Sequence, residues 1–249
     1  MFPIRDHNPS LGTPYVTYVL LAANLGVYLY TLSFYGNEVA LSAFYYDFAM
    51  IPGRVTLEGY YSSLLTHMFL HGSVFHLAGN MLFLWIFGDN LEDQFGHLGY
   101  AAFYLATGVA AAGAQYMFDR YSPVPMVGAS GAIAGVMGGY LLFFPRARVD
   151  ILLIFIIFYR IVAIPAYVML GLWFAFQIIG GLGTLALDGG IAYWAHAGGF
   201  VMGLVLAYPV WKQKGAATFW SRTSGHPPHP KARYVIGRTT IPRVPRKRR

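Results

Sequence analysis

Residues 128–140 read GASGAIAGVMGGY, and residues 195–204 read AHAGGFVMGL. Near its start each stretch has one polar side chain, Ser130 or His196, and it continues as an apolar run that is rich in glycine. Because polar and ionisable side chains inside a bilayer are costly, both residues are candidates for a functional site. The two stretches therefore predict a nucleophile and a base on two membrane-spanning helices.

The composition of the chain is typical of a protein that crosses a membrane several times. Of its 249 residues, 57% are hydrophobic and 11% are charged, whereas about 25% of the residues of a soluble domain are charged. The sequence contains no cysteine, which excludes disulfides, thiolate metal sites and a cysteine nucleophile.

Apolar runs along the chain predict an all-α, six-transmembrane-helix bundle, because most of them approach the roughly 20 residues that cross a bilayer. The predicted spans cover residues 13–32, 74–88, 98–118, 127–144, 161–182 and 192–211. They define a core of residues 13–211 between an N-terminal cytoplasmic segment, 1–12, and a basic tail, 212–249, which is expected to be disordered. The run 151–159 is too short to span, and we expect it to lie at the interface or to extend the fifth helix.

The basic residues predict the orientation of the spans. Residues 212–249 contain eleven Lys and Arg and no Asp or Glu. If both termini are cytoplasmic, only Arg54 and Arg120 fall outside, as the positive-inside rule favours. We expect a bacterial cytoplasmic membrane, contact between the tail and anionic lipid head groups, and no nucleic-acid partner.

Helix geometry predicts that several polar side chains lie at one depth. Ser130 precedes Pro145, where the fourth span stops, by 15 residues, and His196 precedes Trp211 by 15, which is about 22 Å along a helix. His76 lies about 20 Å above the charged turn that follows its span, and Asn80 is one turn deeper on the same face. Three parallel spans would therefore bring these side chains to a similar level.

Small residues predict that the fourth and sixth spans pack closely. Glycines at helical spacing let helix backbones approach each other in lipid, although packing alone would explain them equally well. If the two small faces meet, Ser130 and His196 come within hydrogen-bonding distance. The glycines that we expect to pack the helices around this pair are Gly128, Gly131, Gly135, Gly199 and Gly203.

The expected chemistry is acyl transfer by a Ser–His dyad. A serine hydroxyl needs a base, and a buried histidine rests as the neutral imidazole that a general base must be. The sixth span contains no Asp or Glu, and we expect Asp188 in the preceding loop to be solvated. The Ser130 backbone amide and the side chains of His76 and Asn80 could stabilise the oxyanion.

These motifs resemble those of the rhomboid intramembrane serine proteases over about residues 1–211. The resemblance lies in FPIRDHNP at 2–9, HGSVFHLAGN at 71–80, FGDNLED at 87–93, GASG at 128–131 and AHAGGFVMG at 195–203. It implies Ser130 as nucleophile, His196 as general base, and His76 and Asn80 in the oxyanion hole. It also implies a six-helix core that cleaves transmembrane segments of other membrane proteins near their outer end.

The sequence departs from the family pattern at two positions. Some members carry an aromatic residue one turn after the serine, where it stacks on the base, and here Ala134 occupies that position. Either another group holds the His196 ring or the ring is held less firmly. Many members have Trp-Arg in the first loop, where this chain has IPGR, with Arg54 but no tryptophan.

Other functions remain open from the sequence. A metal site at His67, His71 and His76 is disfavoured because HExxH is absent, so we expect no metal and no cofactor, and His71 is expected to hydrogen-bond the loop. A solute transporter would explain glycine-rich helices with buried polar groups, and a catalytically inactive relative that binds membrane clients would share the fold. The loop aromatics Tyr45, Tyr46, Phe48 and Tyr60 are expected to anchor the loop at the interface, with gating as the alternative.

Overall fold

A computed structural model of the chain describes residues 2–155, 158–184, 192–223 and 225. Long helices make up most of this structure, and a small sheet lies beside them. In chain order the elements are β1 (Phe2–Asp6), α1 (Tyr15–Leu32), α2 (Glu38–Phe48), α3 (Pro52–Glu58), α4 (Ser63–Thr66), a 3₁₀ turn (His67–Phe69), α5 (Val74–Phe95), α6 (His97–Phe118), α7 (Ser130–Phe143), β2 (Arg148–Phe155), β3 (Phe158–Pro165), α8 (Ala166–Thr184), α9 (Tyr193–Gln213) and α10 (Ala217–Thr223).

The six predicted spans correspond to α1, α5, α6, α7, α8 and α9, with differences at their ends. The second span continues past residue 88 to Phe95, so the charged turn expected there is helical instead. The start of the fifth span was wrong, because residues 161–165 are extended and α8 begins only at Ala166. The chain is thus mostly helical, as expected.

Length and composition identify fewer spans than six. Among the described residues, Tyr15–Leu32 and Ala166–Gly183 are long and apolar enough to cross a bilayer. A third candidate is the pair Ser63–Phe69 and Val74–Phe95, which is bent by 95°. Helix α7 has only 14 residues, or about 21 Å. The six-helix count therefore stays a prediction.

The central helix is α7, which packs against α5, α6, α8 and α9. Nearly every residue from Gly131 to Tyr140 is buried, so the helix exposes no continuous face. A helix that is apolar all round belongs in the interior of a larger structure. This burial explains how a short, glycine-rich helix can be held in a fixed position.

Glycines form the contact between α7 and α9, as the sequence predicted. A Cβ built on Gly199 would collide with the carbonyl oxygen of Gly131, and one built on Gly203 would collide with that of Gly135. The Cα–H faces of Gly131 and Gly135 are turned toward α6, where a Cβ would meet Ala111 and Thr107. The two backbones therefore touch, and α7 is packed tightly on both sides.

The sequence did not predict a sheet. Strands β2 and β3 form an antiparallel hairpin, and β1 pairs antiparallel with β2, from Phe2 opposite Leu152 to Asp6 opposite Val149. The run 151–159 is therefore mainly strand and does not extend the fifth helix. Its Ile, Leu and Phe residues suit a strand, and the partner strands supply the hydrogen bonds that helix formation would otherwise provide.

The segments outside the predicted core are partly ordered. Residues 2–6 form β1, and Ala217–Thr223 form α10 within the part of the tail that was expected to be disordered. Phe219 is buried against Phe143 and Phe144, and the Trp220 indole donates to the Leu142 carbonyl. Residues 226–249 lie outside the described residues. The boundaries at residues 12 and 211 remain predictions.

Candidate functional site

Ser130 and His196 lie within hydrogen-bonding distance of each other. Ser130 is the first residue of α7 and His196 lies in the first turn of α9. The glycine contacts between these helices bring Ser130 Oγ to 2.8 Å from His196 Nε2. Both residues are half-buried, so the pair is packed yet accessible.

A third side chain, which the sequence analysis missed, holds the other side of the imidazole. Gln177 on α8 has its Oε1 at 2.8 Å from His196 Nδ1. The Trp173 ring lies 5.9 Å from the His196 ring, centre to centre, at an angle of 37°. Ala134, which stands where an aromatic side chain would stack on the base in some relatives, is fully buried. Gln177 and Trp173, both on α8, are thus the side chains found beside the histidine ring.

His76 and Asn80 lie beside the backbone that leads into Ser130. Gly128 has a φ of +121°, and a Cβ on it would lie 2.7 Å from His76 Nε2 and 3.5 Å from Asn80 Nδ2. The first N–H groups of α7 have no partner within the helix, because four donors at every helix start lack one. His76 and Asn80 therefore both lie close to the backbone two residues before Ser130, and their role as oxyanion donors stays a prediction.

Gly128 has a different role from the one that the sequence suggested. It was expected to pack helices around the pair, but it precedes α7 and adopts a left-handed backbone conformation. Its N–H donates to the His67 carbonyl at 2.9 Å. The glycine is required because a side chain would strain the turn and displace His76.

The remaining histidines of this region have structural partners. His71 is fully buried, and its Nε2 lies 2.9 Å from Asn80 Nδ2, which donates to it. The Tyr45 hydroxyl donates to the His71 carbonyl. His67 is also buried, with Nδ1 at 2.9 Å from the Ser63 carbonyl. Within the described ranges, no three His, Asp or Glu side chains lie close enough together to hold a metal ion.

A cavity of about 1260 Å³ lies beside Ser130 and His196. His76, Asn80, Ser130, Trp173 and His196 line it. This volume exceeds that of a usual small-molecule pocket, so an extended peptide segment and water can both fit. Asp188, expected to be solvated, lies outside the described residues.

In the first loop, one arginine lies against two of the aromatic rings. The Arg54 guanidinium lies 3.7 Å from the centre of the Tyr46 ring and 4.1 Å from that of Tyr60. Hydrogen bonds from Arg54 and Tyr46 keep the pKa of Glu58 below its usual range. The aromatic residues of the loop thus bind an ordered cation. Whether they anchor the loop or gate the site stays a prediction.

Comparisons with known proteins point to one family. The sequence model of the Rhomboid domain matches residues 58–213. The chain is 32% identical to Rhomboid protease GluP of Bacillus subtilis over 130 residues, which are 52% of this chain and 25% of that protein. It is 29% identical to Rhomboid protein 1, mitochondrial, of Saccharomyces cerevisiae over 157 residues, which are 60% and 42% of the two chains. The matched part is less than half the length of either relative.

Proposed function

The chain belongs to the rhomboid family of membrane proteins, and from this premise we propose that it is an intramembrane serine endopeptidase. Ser130 is the proposed nucleophile and His196 the proposed general base. The observation that carries the proposal is the 2.8 Å separation of Ser130 Oγ and His196 Nε2 in a cavity-lining pair. The proposed substrates are transmembrane segments of other membrane proteins.

The proposed reaction is acyl transfer in two steps. His196 Nε2 accepts the Ser130 proton while Oγ attacks the carbonyl carbon of the scissile peptide bond. The imidazolium then returns the proton to the leaving amine, and an acyl-enzyme remains. Water, deprotonated by His196, attacks the ester and releases the new carboxyl terminus, which regenerates Ser130.

The proposed oxyanion donors are the Ser130 amide, His76 and Asn80. Their support is the position of both side chains against Gly128, two residues before Ser130. Donors fixed before the reaction need not reorganise as negative charge develops on the carbonyl oxygen. The two catalytic steps can therefore share one set of donors.

The proposed setting is a six-helix core in a bacterial cytoplasmic membrane with both termini cytoplasmic. The cavity then opens toward the outer face, and substrates are cut near that face. A helical peptide bond is shielded by its own turn, so we expect a preference for segments with Gly, Pro or Ser near the cut. Single cysteines added to this cysteine-free chain and labelled from either side of vesicles test the orientation.

The function is tested with the full chain in liposomes that contain a single-span model substrate. Wild type should cleave it and should be labelled at Ser130 by a fluorophosphonate. Ser130→Ala and His196→Ala should lose about 10⁴-fold or more in cleavage rate, while Ser130→Ala still binds substrate. Wild-type binding with neither cleavage nor labelling would identify a client-binding protein, and solute flux without labelling would identify a transporter.

A further inference from the structure

Gln177 occupies a position that joins α8 to the proposed catalytic pair. It lies near the middle of α8, and only 9% of its surface is exposed. Its Oε1 is 2.8 Å from His196 Nδ1, and its Nε2 donates to the Trp173 carbonyl at 3.3 Å. Both ends of this buried amide therefore form hydrogen bonds, one within α8 and one to α9.

The Trp173 carbonyl determines which way the amide points. A carbonyl oxygen only accepts hydrogen bonds, so the NH₂ end of the Gln177 side chain must face it. The Oε1 end must then face His196. Because an amide oxygen also only accepts, His196 Nδ1 must carry the proton of this hydrogen bond.

This hydrogen bond fixes the form of the imidazole. A neutral imidazole carries one N–H, so a proton on Nδ1 leaves the lone pair of Nε2 free. That lone pair lies 2.8 Å from Ser130 Oγ. In the other tautomer, Nε2 would present a hydrogen to Ser130 and could not accept its proton.

We propose that Gln177 is a positioning residue that holds His196 in the Nδ1–H form and orients its ring toward Ser130. This inference deepens the proposed function and rests on it. The chemical requirement is an acceptor at Nδ1, which serine hydrolases usually meet with a carboxylate. A neutral amide meets it here without placing a charge in a buried site, where ionisation is costly.

The other neighbours of the ring cannot perform this role. Trp173 touches the imidazole through its ring, and a ring contact does not distinguish the two tautomers. Ala134 has neither a ring nor a polar atom. When Nε2 accepts the serine proton, the Nδ1–H bond becomes charge-assisted and strengthens, so Gln177 also stabilises the imidazolium.

The rate test compares three variants of the full chain in liposomes. Gln177→Leu removes the acceptor, Gln177→Glu keeps one, and Phe176→Leu is the control because Phe176 is adjacent and 64% exposed. We expect Gln177→Leu to reduce kcat and the rate of fluorophosphonate labelling about 10- to 100-fold with little change in KM, a part of the ~10²–10⁴ that a general base contributes. Gln177→Glu should recover most of the rate, and Phe176→Leu should match wild type.

The tautomer itself is measured by ¹⁵N NMR of histidine-labelled protein in detergent micelles, with His196→Ala to assign the signals. Wild type should show Nδ1–H at His196, and Gln177→Leu should show a mixture. An unchanged tautomer in Gln177→Leu would overturn the proposal. If wild type neither cleaves nor labels, the proposed function fails, and the tautomer measurement alone decides the role of Gln177.

Discussion

At the scale of single residues, the proposed oxyanion donors can be separated from the dyad by their kinetic effects. His76→Ala removes one proposed donor, and no hydrogen bond to its imidazole is recorded among the described residues. We expect kcat to fall about 10²-fold or more, since one such donor contributes about 10²–10³. KM for the model substrate should change little. A His76→Ala enzyme with the wild-type kcat would remove His76 from the oxyanion hole.

Asn80 differs from His76 because it also supports another buried group. Its Nδ2 donates to His71 Nε2 at 2.9 Å, and His71 is fully buried. Asn80→Ala should therefore lower kcat and also lower thermal stability, by about 1–3 kcal/mol for a buried polar group that loses its partner. His76→Ala provides the control, because it should reduce kcat with a smaller effect on the melting temperature in detergent.

The glycine before the nucleophile provides a second residue-scale prediction. Gly128→Ala would introduce a Cβ 2.7 Å from His76 Nε2 at a φ of +121°. Either the turn or His76 must move, so we expect the cleavage rate to fall at least about 10-fold. Gly113→Ala on α6, where a Cβ has nothing within 4 Å, should retain the wild-type rate in the same assay.

The sequence predicted the proximity of Ser130 and His196 but not the third partner of the pair. Equal depths on parallel helices indicate which side chains can meet, and the glycine faces indicate which helices touch. The absence of Asp and Glu from the sixth span does not reveal Gln177, because an amide oxygen on another helix can accept the same hydrogen bond as a carboxylate. The signal of Gln177 was present, since it is the one amide side chain in the apolar helix α8, and a buried amide needs partners.

At the scale of elements, the contact between α7 and α9 should not tolerate a side chain at its glycines. Ala normally gains up to about 1 kcal/mol over Gly inside a helix. In Gly203→Ala, however, the new Cβ would collide with backbone atoms of Gly135, which cannot rotate away. We expect a net loss of about 1–3 kcal/mol, measured as a lower melting temperature in detergent.

The matched control for this contact is Gly171→Ala on α8. A Cβ at Gly171 has nothing within 4 Å, so helix propensity should keep its melting temperature at or above that of wild type. Equal melting temperatures for Gly203→Ala and Gly171→Ala would mean that the α7–α9 contact can relax. The labelling rate of Ser130 should fall with stability only in Gly203→Ala.

The three strands are the elements that could not be predicted from the sequence. Apolar runs of eight residues cannot be assigned to helix or strand by periodicity alone, and both β2 and β3 have this length. The pairing of β2 with β1 joins residues that are far apart in the sequence, such as Phe2 and Leu152. Nothing local in FPIRD indicates this partner, so its strand could not be derived from the sequence.

At the scale of the whole molecule, the N-terminal segment ties the sheet to the helical bundle. Asp6 Oδ2 accepts hydrogen bonds from the Tyr140 hydroxyl at 2.7 Å and from Asn90 Nδ2 at 3.3 Å. On the same segment, Arg5 and His7 contact Asp150 of β2 at 2.6 and 2.8 Å. The N-terminal segment therefore contacts α5 and α7 through the carboxylate of Asp6, and it contacts β2 through the carboxylate of Asp150.

These two carboxylates should respond to pH in opposite ways. Burial raises the pKa of Asp6 to about 7, with a smaller contribution from the charge of Asp89. For Asp150, burial acts to raise the pKa, but the hydrogen bonds from His7 and Arg5 outweigh it and lower the pKa. The stabilisation from Asp150 is therefore present above its ordinary pKa of about 4 and is lost only below it. Between pH 4 and 7 other groups titrate as well, so the contribution of Asp6 is the difference between wild type and a variant that cannot ionise at this position.

An acid whose pKa is higher in the folded state binds a proton more readily there, so its contribution to stability is complete below about pH 4 and declines as the pH rises to about 7. We therefore expect wild type in detergent to lose up to a few kcal/mol relative to Asp6→Asn over this interval, with faster amide exchange in β1. Asp6→Asn keeps an acceptor for Tyr140 but cannot ionise, so it should lack this part of the pH dependence. Asp47→Asn, at an exposed position of α2, should keep the wild-type profile. If the stabilities of Asp6→Asn and wild type changed equally between pH 4 and 7, ionisation of Asp6 would not control the attachment of the N-terminal segment.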